Sequence, residues 1–127
     1  MEREILFRGK RTDNGEWIDG ALICLDDGET RIATSCLSGD DPNLFFVCAY
    51  EVDSETVGQY TGLTDKNGAS IFEGDIVKGE VLMLGGYQVR TGEIVYCVDA
   101  FKMKVGSEYK EIPSSCEIVG NAYDNPV

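Results

Sequence analysis

Residues 56–77 read TVGQYTGLTDKNGASIFEGDIV, short apolar stretches alternating with glycines and acidic side chains. Asp65, Asn67 and Gly68 stand where the chain is able to reverse. Asp and Asn tolerate left-handed backbone, and Gly has no Cβ to oppose it. An Asn-Gly pair between alternating segments predicts a β-hairpin with a type I′ turn, which needs positive φ at both central residues. The competing reading is a ligand loop. A calcium loop opening at Asp65 would need glycine at its sixth position and glutamate at its twelfth. Ser70 and Ile76 stand there instead. The calcium register fails, and a hairpin is expected.

Glu73 and Asp75 flank Gly74. On one regular strand their carboxylates would share a face about 7 Å apart, able to hold a divalent cation or to act as an acid–base pair. A glycine between two acids more often marks a bend or bulge where the chain enters its next strand. The bend is the expectation. Asp65, Glu73 and Asp75 stand as weak metal candidates, and no catalytic residue or cofactor is assigned.

The same turn chemistry recurs along the chain. Asp13-Asn14-Gly15 separates EILFRGKR from EWIDGALICL, and Asp27-Gly28 separates ALICL from TRIATSCL. SGDDPN breaks the chain at Pro42, and LFFVCAYEV is apolar on both faces, which predicts a central strand. Gly85-Gly86 divides EVLML from YQVRTGEIVYCV. In FKMKV, Phe101, Met103 and Val105 alternate with Lys102 and Lys104, predicting an apolar face turned to the core. SEYKEIPSS reads as a turn or linker, and EIVGNAY as a last strand. Helical spacing is absent except for one turn near DSET, where Asp53 or Ser54 is placed to cap it. Many short strands with glycine turns predict a mainly β, compact antiparallel barrel or rolled sheet with little helix. One domain over 1–127 is expected from the length.

Composition narrows the function. Eleven basic residues oppose 23 acidic ones, and the net charge of −12 is spread over both halves of the chain. Such a field repels phosphate backbones, so direct nucleic-acid binding is not expected. No apolar run approaches the roughly 20 residues that span a bilayer, and the charged start MEREILFRGK does not read as a secretory signal. A soluble cytoplasmic protein is expected. The five cysteines form no C-x-x-C pair, and several lie in apolar runs, so buried thiols are expected. The chain contains no histidine, which removes the usual general base and every imidazole-dependent zinc site. Neither a phosphate-binding loop nor a dinucleotide fingerprint is present. Arg8, Lys10 and Arg11 form a basic cluster that reads as a solvated strand edge, while Trp17 and Phe45-Phe46 read as core.

Three blocks of the chain together resemble a known family. They are REILFRGKRTDNGEWIDG, ETVGQYTGLTDKNGASIFEGDIVK and EIVGNAYDNP, in that order. The chain is similar to YopX proteins, encoded by phages and prophages of bacteria. The matching positions include Asn14, Gly15, Gly58, Tyr60, Gly62, Asp65, Asn67, Gly68, Gly74 and Asp75; residues 22–52 and 79–115 do not carry the motif. The resemblance implies a mainly β protein of a mobile genetic element, with no activity, cofactor or catalytic residue to carry over. EGDIV followed by TGEIVY is similar to strands of SH3-like small barrels, a likeness of fold that says nothing of function. The expected role is a non-enzymatic accessory protein in the bacterial host cytoplasm. It would act through contacts with a protein partner of unknown identity, self-association as a homo-oligomer included. One alternative is an acidic decoy that blocks a host nucleic-acid-binding protein. Another is a carboxylate-based, metal-dependent enzyme using Asp65, Glu73 and Asp75.

Overall fold

The computed structural model describes residues 6–37 and 45–124, with 35–37 and 45–47 described by backbone alone. The chain is mainly β and divides into two compact units, Met1–Gln59 and Tyr60–Val127.

In the first unit, β1 (Phe7–Lys10), β2 (Trp17–Cys24), β3 (Thr30–Leu37) and β4 (Phe45–Glu51) form an antiparallel meander ordered β4–β3–β2–β1. The opening of β5 (Gly58–Thr64) continues it, with Arg8 opposite Gly58 and Phe7 opposite Gln59. Ile32 and Val52 are its buried apolar side chains among the described residues. The expected helical turn is a single 3-10 turn at Ser54–Thr56, capped by Asp53, whose carboxylate accepts the Glu55 N–H at 3.1 Å. The Thr56 hydroxyl then accepts the Lys10 N–H at 2.9 Å and donates to the Asp53 carbonyl at 2.6 Å, tying this turn to β1.

In the second unit, the end of β5 pairs with β6 (Ser70–Phe72). A five-stranded sheet follows in the order β10–β9–β8–β7–β11, built from β7 (Asp75–Met83), β8 (Gly86–Cys97), β9 (Ala100–Val105), β10 (Glu108–Lys110) and β11 (Glu117–Asn121). Ile71, Val77, Val81, Ile94, Met103, Val105 and Cys116 form its core. The FKMKV alternation is realised: Met103 and Val105 are buried, Phe101 packs against the same cluster, and Lys104 is exposed.

Several local expectations are corrected. Neither sheet closes into a barrel among the described residues, so the rolled-sheet description is the one that holds. The described part of LFFVCAYEV, Phe45–Glu51, forms the edge strand β4, which pairs with β3 among the described residues and is not central. An apolar pattern on both faces does not say whether a second strand lies alongside, and of the described side chains Cys48 and Tyr50 are half-buried while Ala49 is exposed. SEYK is not all linker, since it supplies the short edge strand β10. Strand β1 lies between β2 and β5 rather than at an edge, and its basic residues stack on aromatic rings. Arg8 lies 4.7 Å and Lys10 5.8 Å from the Trp17 ring centre, and Arg11 lies 4.0 Å from that of Tyr50. Trp17 is half-buried beneath them rather than a core residue. The Pro42 break and the Phe45-Phe46 side chains lie outside the described residues.

The cysteines also depart from a uniform set of buried thiols. Cys116 is buried, Cys97 is half-buried, Cys24 is exposed, and Cys48 is disulfide-bonded. Cys24 lies opposite Thr30 in the last pair before a hairpin turn, where little chain remains to cover it.

Candidate functional site

The acid-rich hairpin is built from a turn different from the one its dipeptide predicts. The Asp65 N–H donates to the Ala69 carbonyl at 2.8 Å, and the Gly68 N–H to the Asp65 carbonyl at 3.0 Å. Gly68 has a φ of +84°, while Asn67 stays at negative φ. This is a three-residue loop in which a tight turn is followed by a left-handed glycine. Leu25, Gly28 and Glu29 repeat it, with bonds of 2.9 and 3.0 Å and Gly28 at φ +88°. The Asn14-Gly15 loop is one residue longer. Arg11 and Glu16 close it at 2.9 Å, the Gly15 N–H reaches the Arg11 carbonyl at 3.0 Å, and Asn14 accepts the Glu16 N–H at 3.0 Å. Only the glycine takes positive φ in each loop, so none is a type I′ turn.

Asp65 is the hub of its loop. One carboxylate oxygen accepts the N–H groups of Asn67 and Ala69, both at 2.9 Å. The other accepts the N–H of Ile118 on β11 at 3.1 Å. Alongside it the Lys66 N–H donates to the Cys116 carbonyl at 2.8 Å, and the Lys66 ammonium pairs with Glu117 at 3.2 Å. The Ile118 N–H, then those of Ala69 and Asn67, hold the Asp65 carboxyl below the ordinary aspartate range against the opposing effect of desolvation; Lys66 adds to the lowering. Burial, with the nearby Asp65 charge, pushes the Cys116 thiol up.

Glu73 and Gly74 form the bend between β6 and β7, and Asp75 is the first residue of β7. The buried Asp75 carboxylate accepts the Phe72 N–H at 2.8 Å, which closes this bend. Gly74 takes φ +95°, donates to the Ile94 carbonyl at 2.8 Å and accepts the Ala122 N–H at 2.8 Å. A Cβ on Gly74 would lie 2.9 Å from the Tyr123 ring. The chain crosses here between β8 and the segment after β11, with room for no side chain.

The remaining signature positions are also accounted for by backbone. Gly58 is buried opposite Arg8. The Tyr60 and Phe72 rings pack 5.5 Å apart. Gly62, at φ +86°, lies in a bulge between the Tyr60–Phe72 and Thr64–Ser70 pairs. Within that bulge the Thr61 hydroxyl donates to the Ile71 carbonyl at 2.8 Å. The structure therefore assigns Asp65 and Asp75 to backbone N–H groups of different turns. Among the described residues, no group of three acidic or cysteine side chains is arranged to hold a metal ion.

Sequence reading missed a different feature of the second unit. The far half of the β7–β8 hairpin exposes Leu82 (58%), Leu84 (102%), Tyr87 (72%) and Val89 (51%). Leu82 lies opposite Tyr87 in the ladder, and Glu80 opposite Val89, so these side chains share one face. A cleft of about 610 Å³ borders them, lined in part by Leu82, Tyr87, Tyr109, Lys102 and Lys110. The sequence signal was present in EVLMLGGYQV, where Val81–Leu84 are four apolar residues in a row, so that Leu82 and Leu84 stand where alternation would demand polar ones.

No curated protein matches the sequence. Among solved structures, the chain is similar to the crystal structure of protein EF1440 from Enterococcus faecalis. The TM-score is 0.56 at 23% identity, with 98% of this chain and 97% of that one covered. At that identity the likeness concerns the fold alone. The model of the YopX protein family matches residues 6–127, a span that includes the three signature blocks except their outermost residues at the start. The chain belongs to the YopX family.

Proposed function

We propose that this protein is a non-enzymatic accessory protein of a phage or prophage, working in the bacterial cytoplasm through contacts with protein. The observation that carries this reading is the apolar face of the β7–β8 hairpin in a chain of net charge −12. Soluble proteins seldom keep large contiguous apolar patches without a binding purpose. Two further features support it. The signature carboxylates of Asp65 and Asp75 are committed to holding turns, and the chain has no imidazole for acid–base work near neutral pH.

The test is affinity capture from phage-infected bacteria with the wild-type protein and with a Leu82→Ser, Tyr87→Ser double variant. A specific partner lost with the variant, and resistant to high-salt washing, is the expected outcome. Capture that survives the variant but disappears in salt would point instead to the acidic surface and a basic partner. Turnover of a substrate by the purified protein would overturn the non-enzymatic assignment.

A further inference from the structure

We infer that β8 is a self-pairing edge: Tyr87–Thr91 of one copy pairs antiparallel with Tyr87–Thr91 of a second copy, about a two-fold axis at Val89. This names the partner of the β7–β8 surface and so rests on the protein-contact reading above.

The ladder supplies the first argument. Strand β8 pairs with β7 from Gly86 to Glu93, but β9 covers its other side only from Glu93 to Cys97. On the far side of β7, β11 pairs with Asp75–Lys78 and goes no further. The far half of the hairpin, Gly79–Met83 against Gly86–Arg90, is thus a ribbon of two strands open along both edges among the described residues. A two-stranded ribbon is marginal in water, and a third strand is what ordinarily stabilises it.

Few of the usual protections against edge pairing are present on this strand. Natural edges are kept from pairing by shortness, lysine, proline or a bulge. In the same sheet, β10 has three residues and ends in Lys110, and β11 carries a register shift between Ile118 and Gly120. The β8 stretch GYQVRT has no lysine, no proline and an unbroken register with β7; its one charge is Arg90, whose guanidinium donates to the Val89 carbonyl at 3.0 Å and gives up that contact when the edge pairs.

Charge then selects the occupant. Residues 79–92 contain one acid, Glu80, and one base, Arg90, within a chain of net charge −12. Two copies repel each other generally, and the arm is a neutral place for them to meet. An antiparallel edge is also self-complementary under a two-fold rotation, as an isologous contact requires. Centring on Val89 sets Val89 against Val89 of the second copy, Tyr87 against Thr91 and Gln88 against Arg90. No like charges are opposed. A register centred one residue later would set two arginines face to face, which is destabilising.

The experiment is light scattering coupled to size-exclusion chromatography, from submicromolar to tens of micromolar protein. The wild type is expected to double its molar mass, and Val89→Lys to return it to the monomer value with an unchanged circular dichroism spectrum. Independently, Val89→Cys in a Cys24→Ser background is expected to cross-link under mild oxidation to a peptide joining residue 89 to residue 89. Thr91→Cys, facing Tyr87 of the second copy, should not link to itself. The wild type remaining monomeric throughout, a dimer indifferent to Val89→Lys, or equal cross-linking at 89 and 91 would each overturn the inference. A monomer that still captures a partner through Leu82 and Tyr87 would overturn self-pairing while leaving the protein-contact reading in place.

Discussion

The Asp65 carboxylate accepts the Ile118 N–H at 3.1 Å, across 53 positions of chain. It joins the loop of the central signature block to the strand of the last one. Substituting Asn for Asp65 keeps one carbonyl oxygen but turns the other acceptor into a donor. Either the Ile118 N–H faces an amide NH2, or the Asn67 and Ala69 N–H groups do, so one side of the clamp is lost in each orientation. Asp65→Asn should therefore lower the thermal midpoint by several degrees at neutral pH.

The pH dependence of that loss has a definite sign. Its hydrogen bonds hold the Asp65 carboxyl below its unfolded value, so its contribution is complete above about pH 4 to 5 and disappears as pH falls through the folded value. Thermal midpoints of wild type and Asp65→Asn should thus converge on acidification. A gap that stays constant from pH 7 down to about pH 2 to 3 would contradict a charge-based clamp.

Gly74 and Gly68 should respond differently to alanine. Both take positive φ, but a Cβ at Gly68 meets nothing within 4 Å, whereas one at Gly74 meets the Tyr123 ring at 2.9 Å. Gly68→Ala should cost about 1–2 kcal/mol from backbone strain alone. Gly74→Ala should exceed that, and Tyr123→Ala should restore part of the loss at Gly74 and none at Gly68. Urea denaturation of the double-mutant set measures the difference.

Val98 should be a site of easy stabilisation. It is a β-branched residue at φ +60°, in a tight turn where the Asp99 N–H reaches the Cys97 carbonyl at 2.7 Å. Its side chain is almost wholly exposed, so little packing is lost on removing it. Val98→Gly should relieve strain and leave stability unchanged or raised by about 1 kcal/mol. By contrast, Met103→Ala in the core of the same unit should cost about 2–5 kcal/mol. A marked loss at Val98 would mean that its side chain is held by something outside the chain.

Thiol reactivity should follow burial. Cys24 is exposed and should react first, Cys97 more slowly, and Cys116 last, since burial and the Asp65 charge both disfavour its thiolate. With Cys48 in a disulfide, the unfolded but unreduced chain should titrate fewer thiols than its five cysteines. A full count of five in protein taken from the cytoplasm would show that this disulfide does not form there.

The two Asn-Gly loops show how far local chemistry reaches. TDNGE and TDKNGA look alike, and both do reverse the chain. One closes over four residues and the other over three, because the strand pairing on either side sets the loop length. The basic run at Arg8, Lys10 and Arg11 was legible as a cluster but not as a cation–aromatic stack. Its aromatic partners are Trp17, for Arg8 and Lys10, and Tyr50, for Arg11 and 39 positions further along the chain from it.

The sequence by itself determined that the chain is β-rich, where its hairpins turn, which residues of FKMKV face inward, and which family it belongs to. Those properties depend on φ preferences, on a period of two and on a specific run of residues, all local. Only the tertiary structure decided that the Asp65 and Asp75 carboxylates accept backbone N–H groups of two different turns, that β4 and β10 are edges among the described residues, and that Gly86–Thr91 pairs with β7 but not with β9. Each of these turns on which distant segment lies alongside, a matter of packing and ladder length that no short window of sequence contains.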